Sequence, residues 1–341
     1  MPTIVGREVG PIGYGMMGLT WREKPPTDEE AFAAMRAALA AGMTFWNGGE
    51  IYGPPERNSL VLLERYFERY PGDADKIVLS IKGGANYATR LMDGSPENTR
   101  ASIDRCIARL KGRKRIDLFQ FARRDPNVPL RETFEVIEKE CANVYKPDVQ
   151  TGKIGGISLS EVRAETIHEA VKVATISAVE VELSLFSTHI FEDGVAAACA
   201  KYNIPLIAYS PMGRGLLTGR VQTVADVSGL PSQLAAFPRF QAGNIESNLR
   251  LAARVQALAA RKGVAPAQLA ISWVRRLSSW LPAGSLPATV LPIPGATTPE
   301  RIRENAVNVD ISDDEMREID AFLKELKVAG ERYPQTIPMN T

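Results

Sequence analysis

The sequence predicts an α/β chain in which eight parallel strands, each followed by a helix, close into a (β/α)8 TIM barrel. Three observations carry that prediction. Short β-branched apolar segments alternate with capped segments of helical period, the signature of βα units around a parallel sheet. The strand segments are near-continuously apolar, as expected when both faces are covered. The length of 341 residues suits one barrel domain over 1–341, with insertions on a core of roughly 250 residues.

Positions 3–5 and 7–9, turning at Gly6, read as an N-terminal hairpin. Barrel strand one is 11–14. Thr27, with Glu30 three positions on, forms a capping box that opens a helix through 41, ended by Gly42. Strand two (43–47) precedes helix 57–69, and strand three (76–82) precedes helix 95–110. Strand four (116–122) precedes helix 130–142, and strand five (154–158) precedes helix 162–173. Strand six (178–182) is followed by helix 189–202, and then by strand seven (204–209). Residues 210–246 form a long loop rich in Gly, Pro and Ser. It is placed to cover a ligand at the C-terminal ends of the strands, where barrels keep their sites. An added helix covers 245–261. Strand eight (289–292) leads to helix 299–305, and a C-terminal extension adds a helix over 312–326. Residues 141–150 read as a surface insertion, and Arg275 and Arg276 as part of a solvated helix face.

The net charge of +1 asks for neither nucleic acid nor an anionic membrane. No apolar run approaches the roughly 18 residues of a membrane span. The first residues lack the apolar stretch of a secretory signal. The expected address is cytoplasmic, with a nuclear pool left open. Cys106, Cys141 and Cys199 lie far apart, so inert thiols are expected rather than disulfides. The two histidines, His168 and His189, are too few for a His-clustered metal centre, and no metal is expected.

Gly13, Gly15 and Gly18 match the spacing of a dinucleotide fingerprint after a strand. The match fails on context, because Pro25 and Pro26 intervene before any helix can receive a pyrophosphate. A tight turn at the barrel mouth is expected instead, with Tyr14, Met16 and Trp21 near a ligand.

Chemistry gathers at the strand ends. Lys82 closes strand three before two glycines, which aims an ammonium at the mouth, where it needs a partner or a task. Tyr52 follows the neighbouring strand. A nearby ammonium stabilises a phenolate, which is what a tyrosine needs in order to act as a general acid.

Taken together, Asn47, Tyr52 with Gly53, and Lys82 resemble the catalytic motif of the aldo-keto reductase family over nearly the whole chain. Within the family, 46–55 and 180–186 look most like the pyridoxal reductases. The resemblance implies NADPH-dependent reduction of a small-molecule aldehyde, pyridoxal to pyridoxine. Tyr52 would be the acid, assisted by Lys82 and Asn47. Two departures stand out, since the family's Asp is Asn47 and its His is Ala122. Asn47 can accept from Lys82 but cannot neutralise it. A more positive site, a depressed Tyr52 pKa and a substrate with an ionised oxygen are therefore expected. Tyr14, Trp46, Phe121 and Arg123 are the substrate-side candidates.

For the cofactor, the resemblance assigns Tyr209 to stacking on nicotinamide and Ser158 and Glu180 to its carboxamide. The loop Ser210, Pro211, Gly213, Gly215, Leu216, Thr218 and Gly219 would cover the pyrophosphate, its glycines letting backbone N–H groups approach phosphate. Gly295, Ala296 and Thr297 lead to a helix capped by Thr298 with Pro299 first, a ready anion site. Arg301 would grip a 2′-phosphate, and Glu304 and Asn305 would meet adenine. Two alternatives stay open: reduction of other aldehydes, and a non-catalytic NADPH-sensing subunit.

Overall fold

The computed structural model describes residues 1–86, 89, 91–140, 152–337 and 339. The 141–150 insertion and the predicted end of its preceding helix lie outside the described residues. The first two strands, β1 (Thr3–Ile4) and β2 (Arg7–Glu8), pair antiparallel. Val5 (φ 45°) and Gly6 (φ 73°) both occupy the left-handed region, as a two-residue hairpin turn of this hand requires. The hairpin plugs the bottom of a barrel of eight parallel strands: β3 (Tyr14–Gly15), β4 (Phe45–Gly49), β5 (Val78–Gly83), β6 (Leu118–Phe121), β7 (Ile157–Ser160), β8 (Ile176–Glu182), β9 (Leu206–Tyr209) and β10 (Val290–Ile293). Gly13 N–H donates to Pro292 O at 2.9 Å and Gly15 N–H to Pro294 O at 3.1 Å, which closes β3 onto β10. Two of the three glycines of the apparent dinucleotide fingerprint, Gly13 and Gly15, serve this closure. A Cβ on Gly13 would stand 2.9 Å from the Phe45 carbonyl oxygen, and one on Gly15 would stand 2.8 Å from that of Ile293.

Two apolar layers follow from strand alternation. Ile4, Val9, Phe45, Val78, Leu118, Ala178, Ile207 and Leu291 fill the bottom of the lumen. The opposite strand faces pack outward under the helices, with Trp46, Tyr66, Phe67 and Phe119 among the largest buried side chains.

Most helices start where their caps predict. Thr27 closes its capping box with Glu30, and Ser95 and Thr298 accept from the backbone N–H groups of Asn98 and Arg301. The predicted helix 189–202 is broken. Gly194 at φ 85° separates a short turn at His189–Phe191 from the helix Val195–Lys201. A second helix between β9 and β10, Pro266–Trp280, packs on β10; it contains Arg275 and Arg276, which the sequence placed on a helix without giving it bounds. Helix Ile245–Lys262 is the added one, and Asp313–Glu325 forms the C-terminal extension. Among the described residues no helix is long and apolar enough to cross a membrane.

After that last helix the chain returns across the barrel mouth. Asn248 accepts from Ala329 N–H and donates to its carbonyl oxygen, both at 2.9 Å. Arg332 then grips Glu161 at 3.0 and 3.2 Å and reaches Glu182 at 3.4 Å. Burial alone would raise the Glu161 carboxyl. Arg332, with Arg123 and the Glu182 N–H, outweighs burial and holds it below the usual carboxylate value. Glu161 therefore adds stability that is complete above its unfolded pKa of about 4.3 and is lost as pH falls through its lower folded value.

Two measurements follow. Arg332→Ala strands a buried carboxylate and should cost about 3 kcal/mol in urea denaturation at pH 7, with the deficit shrinking below about pH 4. Gly84 has φ 86°, and a Cβ there would lie 2.1 Å from the Phe121 ring. Gly84→Ala should cost about 2 kcal/mol or more by the same assay.

Candidate active site

Alternation along each strand also builds the lumen upward. On β5 the inward residues climb from Val78 through Ser80 to Lys82, and on β8 from Ala178 through Glu180 to Glu182. On β4 and β6 the inward pairs are Phe45 with Asn47 and Leu118 with Gln120. An apolar floor thus carries a polar middle layer of Asn47, Ser80, Gln120, Ser158 and Glu180, all buried. Lys82 and Glu182 stand above it, at the top of their strands.

Lys82 Nζ donates to the Tyr52 hydroxyl at 3.0 Å, and both side chains are buried. Tyr52 is fixed by its backbone: Thr20 Oγ1 donates to its carbonyl at 2.7 Å. Gly53 follows at φ 105°, with backbone oxygens of Arg57 and Thr20 within 3.0 Å of where a Cβ would stand. The Trp21 ring lies 5.8 Å from that of Tyr52 and is 46% exposed, so it forms the outer wall beside the phenol.

Lys82 also makes a short ion pair with Glu180, reached across the lumen from β8. Glu180 Oε2 further accepts from Asn47 Nδ2 at 2.8 Å and Gln120 Nε2 at 2.6 Å. Ser158 Oγ donates to Gln120 Oε1 at 3.1 Å. These contacts correct three expectations. The ammonium is neutralised, so the site carries no uncompensated Lys82 charge. Asn47 donates to Glu180 instead of accepting from Lys82. Tyr52 is not depressed: burial raises its phenol, Lys82 pulls it down, and Glu180 pushes it back up, for a net rise. Burial alone would lower Lys82, but Glu180 and Tyr52 outweigh it and hold the amine above its usual value. Ser158 and Glu180, expected at a nicotinamide carboxamide, are engaged with Gln120 and Lys82.

Three substrate candidates point the wrong way. Trp46 alternates with inward Phe45 and Asn47, so it faces the helices, donating to Met43 O at 2.8 Å and packing on Tyr66 and Phe67. Tyr14 pairs in register with Trp46, shares its face, and donates to Ala296 O at 2.8 Å. Phe121 alternates with inward Gln120 and packs edge-on to Phe119. Arg123 does reach the mouth, with its guanidinium 5.4 Å from the Tyr333 ring.

Tyr209 lies beside the pair, its ring 5.4 Å from Lys82 Nζ, and its hydroxyl meets that of Tyr333 from the C-terminal tail at 2.7 Å. Above it, Arg214 bonds Glu182 at 3.0 Å and stacks on Tyr333. Arg239 donates to Ser187 at 2.8 Å, and Ser187 donates in turn to Glu182. Sequence reasoning missed Gln120, Glu161, Glu182, Arg332 and Tyr333. Gln120 and Glu182 carried a signal, since each continues the inward alternation of its strand from an apolar floor residue.

The loop from Ser210 and Pro211 to Gly219 winds through Gly213, Arg214, Gly215 and Gly219 at positive φ. Leu216 is buried as its anchor, and Thr218 Oγ1 donates to Gly215 O at 2.7 Å. At the β10 end, Gly295 is exposed beside half-buried Ala296 and Thr297. Thr298 caps Pro299–Ala306, with Arg301 and Glu304 exposed in its first turns and Asn305 buried. Arg22 reaches Thr297 at 3.4 Å, which adds a second guanidinium to this helix start. A capped N-terminus with two arginines can hold a phosphate group.

Residues 11–324 match the model of the aldo/keto reductase family. The chain is 38% identical over 343 residues to "Probable pyridoxal reductase 2" of Schizosaccharomyces pombe, covering 98% of this chain and 97% of that one. It is 34% identical over 335 residues to a Saccharomyces cerevisiae protein with a provisional pyridoxal reductase name, covering 94% and 95%. The solved glycerol dehydrogenase of Gluconobacter oxydans superposes with a TM-score of 0.77 at 22% identity, covering 95% of each chain, and so shares the fold. With a match along nearly its whole length, this chain belongs to the aldo/keto reductase family of oxidoreductases.

Proposed function

We propose that this enzyme reduces pyridoxal to pyridoxine with NADPH, with Tyr52 as the proton donor. The observation that carries this reading is the 3.0 Å contact between Lys82 Nζ and the Tyr52 hydroxyl, buried beside the Tyr209 ring. The pyridoxal reductase names of two full-length relatives support the choice of substrate.

Bound NADPH supplies the hydride. The protein's own residues do the rest. Because burial raises its pKa, Tyr52 stays protonated at neutral pH. It gives its proton to the oxygen of the aldehyde as that oxygen gains charge. The Lys82 ammonium then stabilises the phenolate left behind. Trp21 offers a flat wall to an aromatic aldehyde, and the Arg123 guanidinium, held at the mouth beside Tyr333, adds positive charge there. Tyr209, beside the pair, would present the ring on which nicotinamide stacks. The 210–219 loop would cover the pyrophosphate, and Arg301 with Arg22 would hold the 2′-phosphate at the start of the helix.

Tyr52→Phe should lower kcat by about 10²–10⁴-fold while NADPH binding, read by fluorescence, stays intact. An unchanged kcat contradicts the role. The wild-type rate should fall only as pH rises through a Tyr52 value above the ordinary tyrosine range. Arg301→Ala should raise the KM for NADPH about tenfold or more and leave that for NADH nearly unchanged. Across a panel of aromatic and sugar aldehydes, pyridoxal should show the highest kcat/KM.

A further inference from the structure

We propose that Glu180 is the positioning residue of the proton donor, supplying from β8 the carboxylate that keeps Lys82 charged and fixed beneath Tyr52. The inference rests on the reductase reading above and adds a role that the resemblance does not give to this position.

An ammonium as buried as Lys82 is tolerated only when it is paired and hydrogen-bonded. On the neighbouring strand, register sets Gly49 beside Lys82 and the neutral Asn47 beside Ser80, so β4 offers no charge. The carboxylate comes instead across the lumen from Glu180. Its surroundings are built for a charge. Oε1 faces the Lys82 ammonium, while Oε2 takes amide donors from Asn47 at 2.8 Å and Gln120 at 2.6 Å. Ser158 donates to Gln120 Oε1, which fixes that amide with its nitrogen toward Glu180. A glutamine at 180 would set its own NH2 against one or more of these donors, and Lys82 would lose its counter-charge. Glu180 acts on Tyr52 through Lys82, which it holds while the same ammonium donates to the Tyr52 hydroxyl.

The same geometry provides a reciprocal test. Asn47 is in direct contact with Glu180, so Asn47→Asp combined with Glu180→Gln moves the negative charge one side chain over and keeps the net charge of the site. Two readouts on the full-length protein apply. One is the pH profile of kcat/KM with NADPH and pyridoxal. The other is ¹³Cζ-tyrosine NMR of the protein alone, with the Tyr52 signal assigned through Tyr52→Phe.

Glu180→Gln should lower kcat/KM about 100-fold. It should also shift the alkaline limb, and the Tyr52 titration, to lower pH by about one unit or more, because the Tyr52–Lys82 pair releases its proton more readily without the carboxylate. The double variant should recover at least about tenfold of the rate and return the limb toward its original pH. A Glu180→Gln limb and titration that do not move, or a double variant no better than the single, overturns the proposal. If Glu180→Gln does not fold, Asn47→Asp alone decides. A second carboxylate beside the pair should move the limb and the titration to higher pH, and no movement overturns the proposal. If no aldehyde supports NADPH oxidation by the wild-type protein, the reductase reading fails, while the NMR titration still reports on Glu180 independently.

Discussion

A primary ammonium held inside a barrel of apolar strands is the constraint around which the rest of this molecule is arranged. Unpaired, such a charge would shed its proton or destabilise the fold by several kcal/mol. Lys82 retains it because one carboxylate and one phenol oxygen converge on its nitrogen. That convergence needs β4, β5 and β8 to hold their registers simultaneously, since each supplies or positions one partner. The barrel's closure through Gly13 and Gly15 onto β10 is therefore a condition of the chemistry as well as of stability.

Charge is layered in the lumen. The floor is apolar, the middle layer is a network of amides and hydroxyls around the Glu180 carboxylate, and the rim carries the remaining ions. Glu161 and Glu182 at the rim are surrounded by Arg214, Arg239 and Arg332, with Arg123 near Tyr333. The C-terminal tail delivers two of these rim groups, Arg332 and Tyr333, and Tyr333 meets the hydroxyl of Tyr209. A segment distant in sequence from every strand is thus part of the wall around the proposed chemistry.

Much of the fold was legible because it is local. Alternating apolar runs and helix caps named seven of the barrel strands within a few residues, and β3 near its start. The helix Pro266–Trp280 was read only at Arg275 and Arg276, as a helix face without bounds. The tyrosine and lysine were legible because their residue types at strand ends are unusual. Trp46 and Phe121 were misplaced although the rule that places them is simple: each sits one residue from an inward polar side chain and so must point out. Glu180 was read at the right strand end and with the wrong partner. Its pairing crosses the lumen, and no spacing along the chain encodes which inward residue meets which across a closed sheet. The grip of Arg332 on Glu161 was illegible for the same reason.

The central claim is that a charged Lys82 stands against a protonated Tyr52. The most direct measurement is ¹⁵N NMR of the lysine side chains, with the Lys82 signal assigned by its loss in Lys82→Met. An Nζ resonance that keeps ammonium character from pH 6 to pH 9 and shifts in Tyr52→Phe is the predicted result. A neutral amine at pH 7, or a resonance indifferent to the removal of the phenol oxygen, would contradict it.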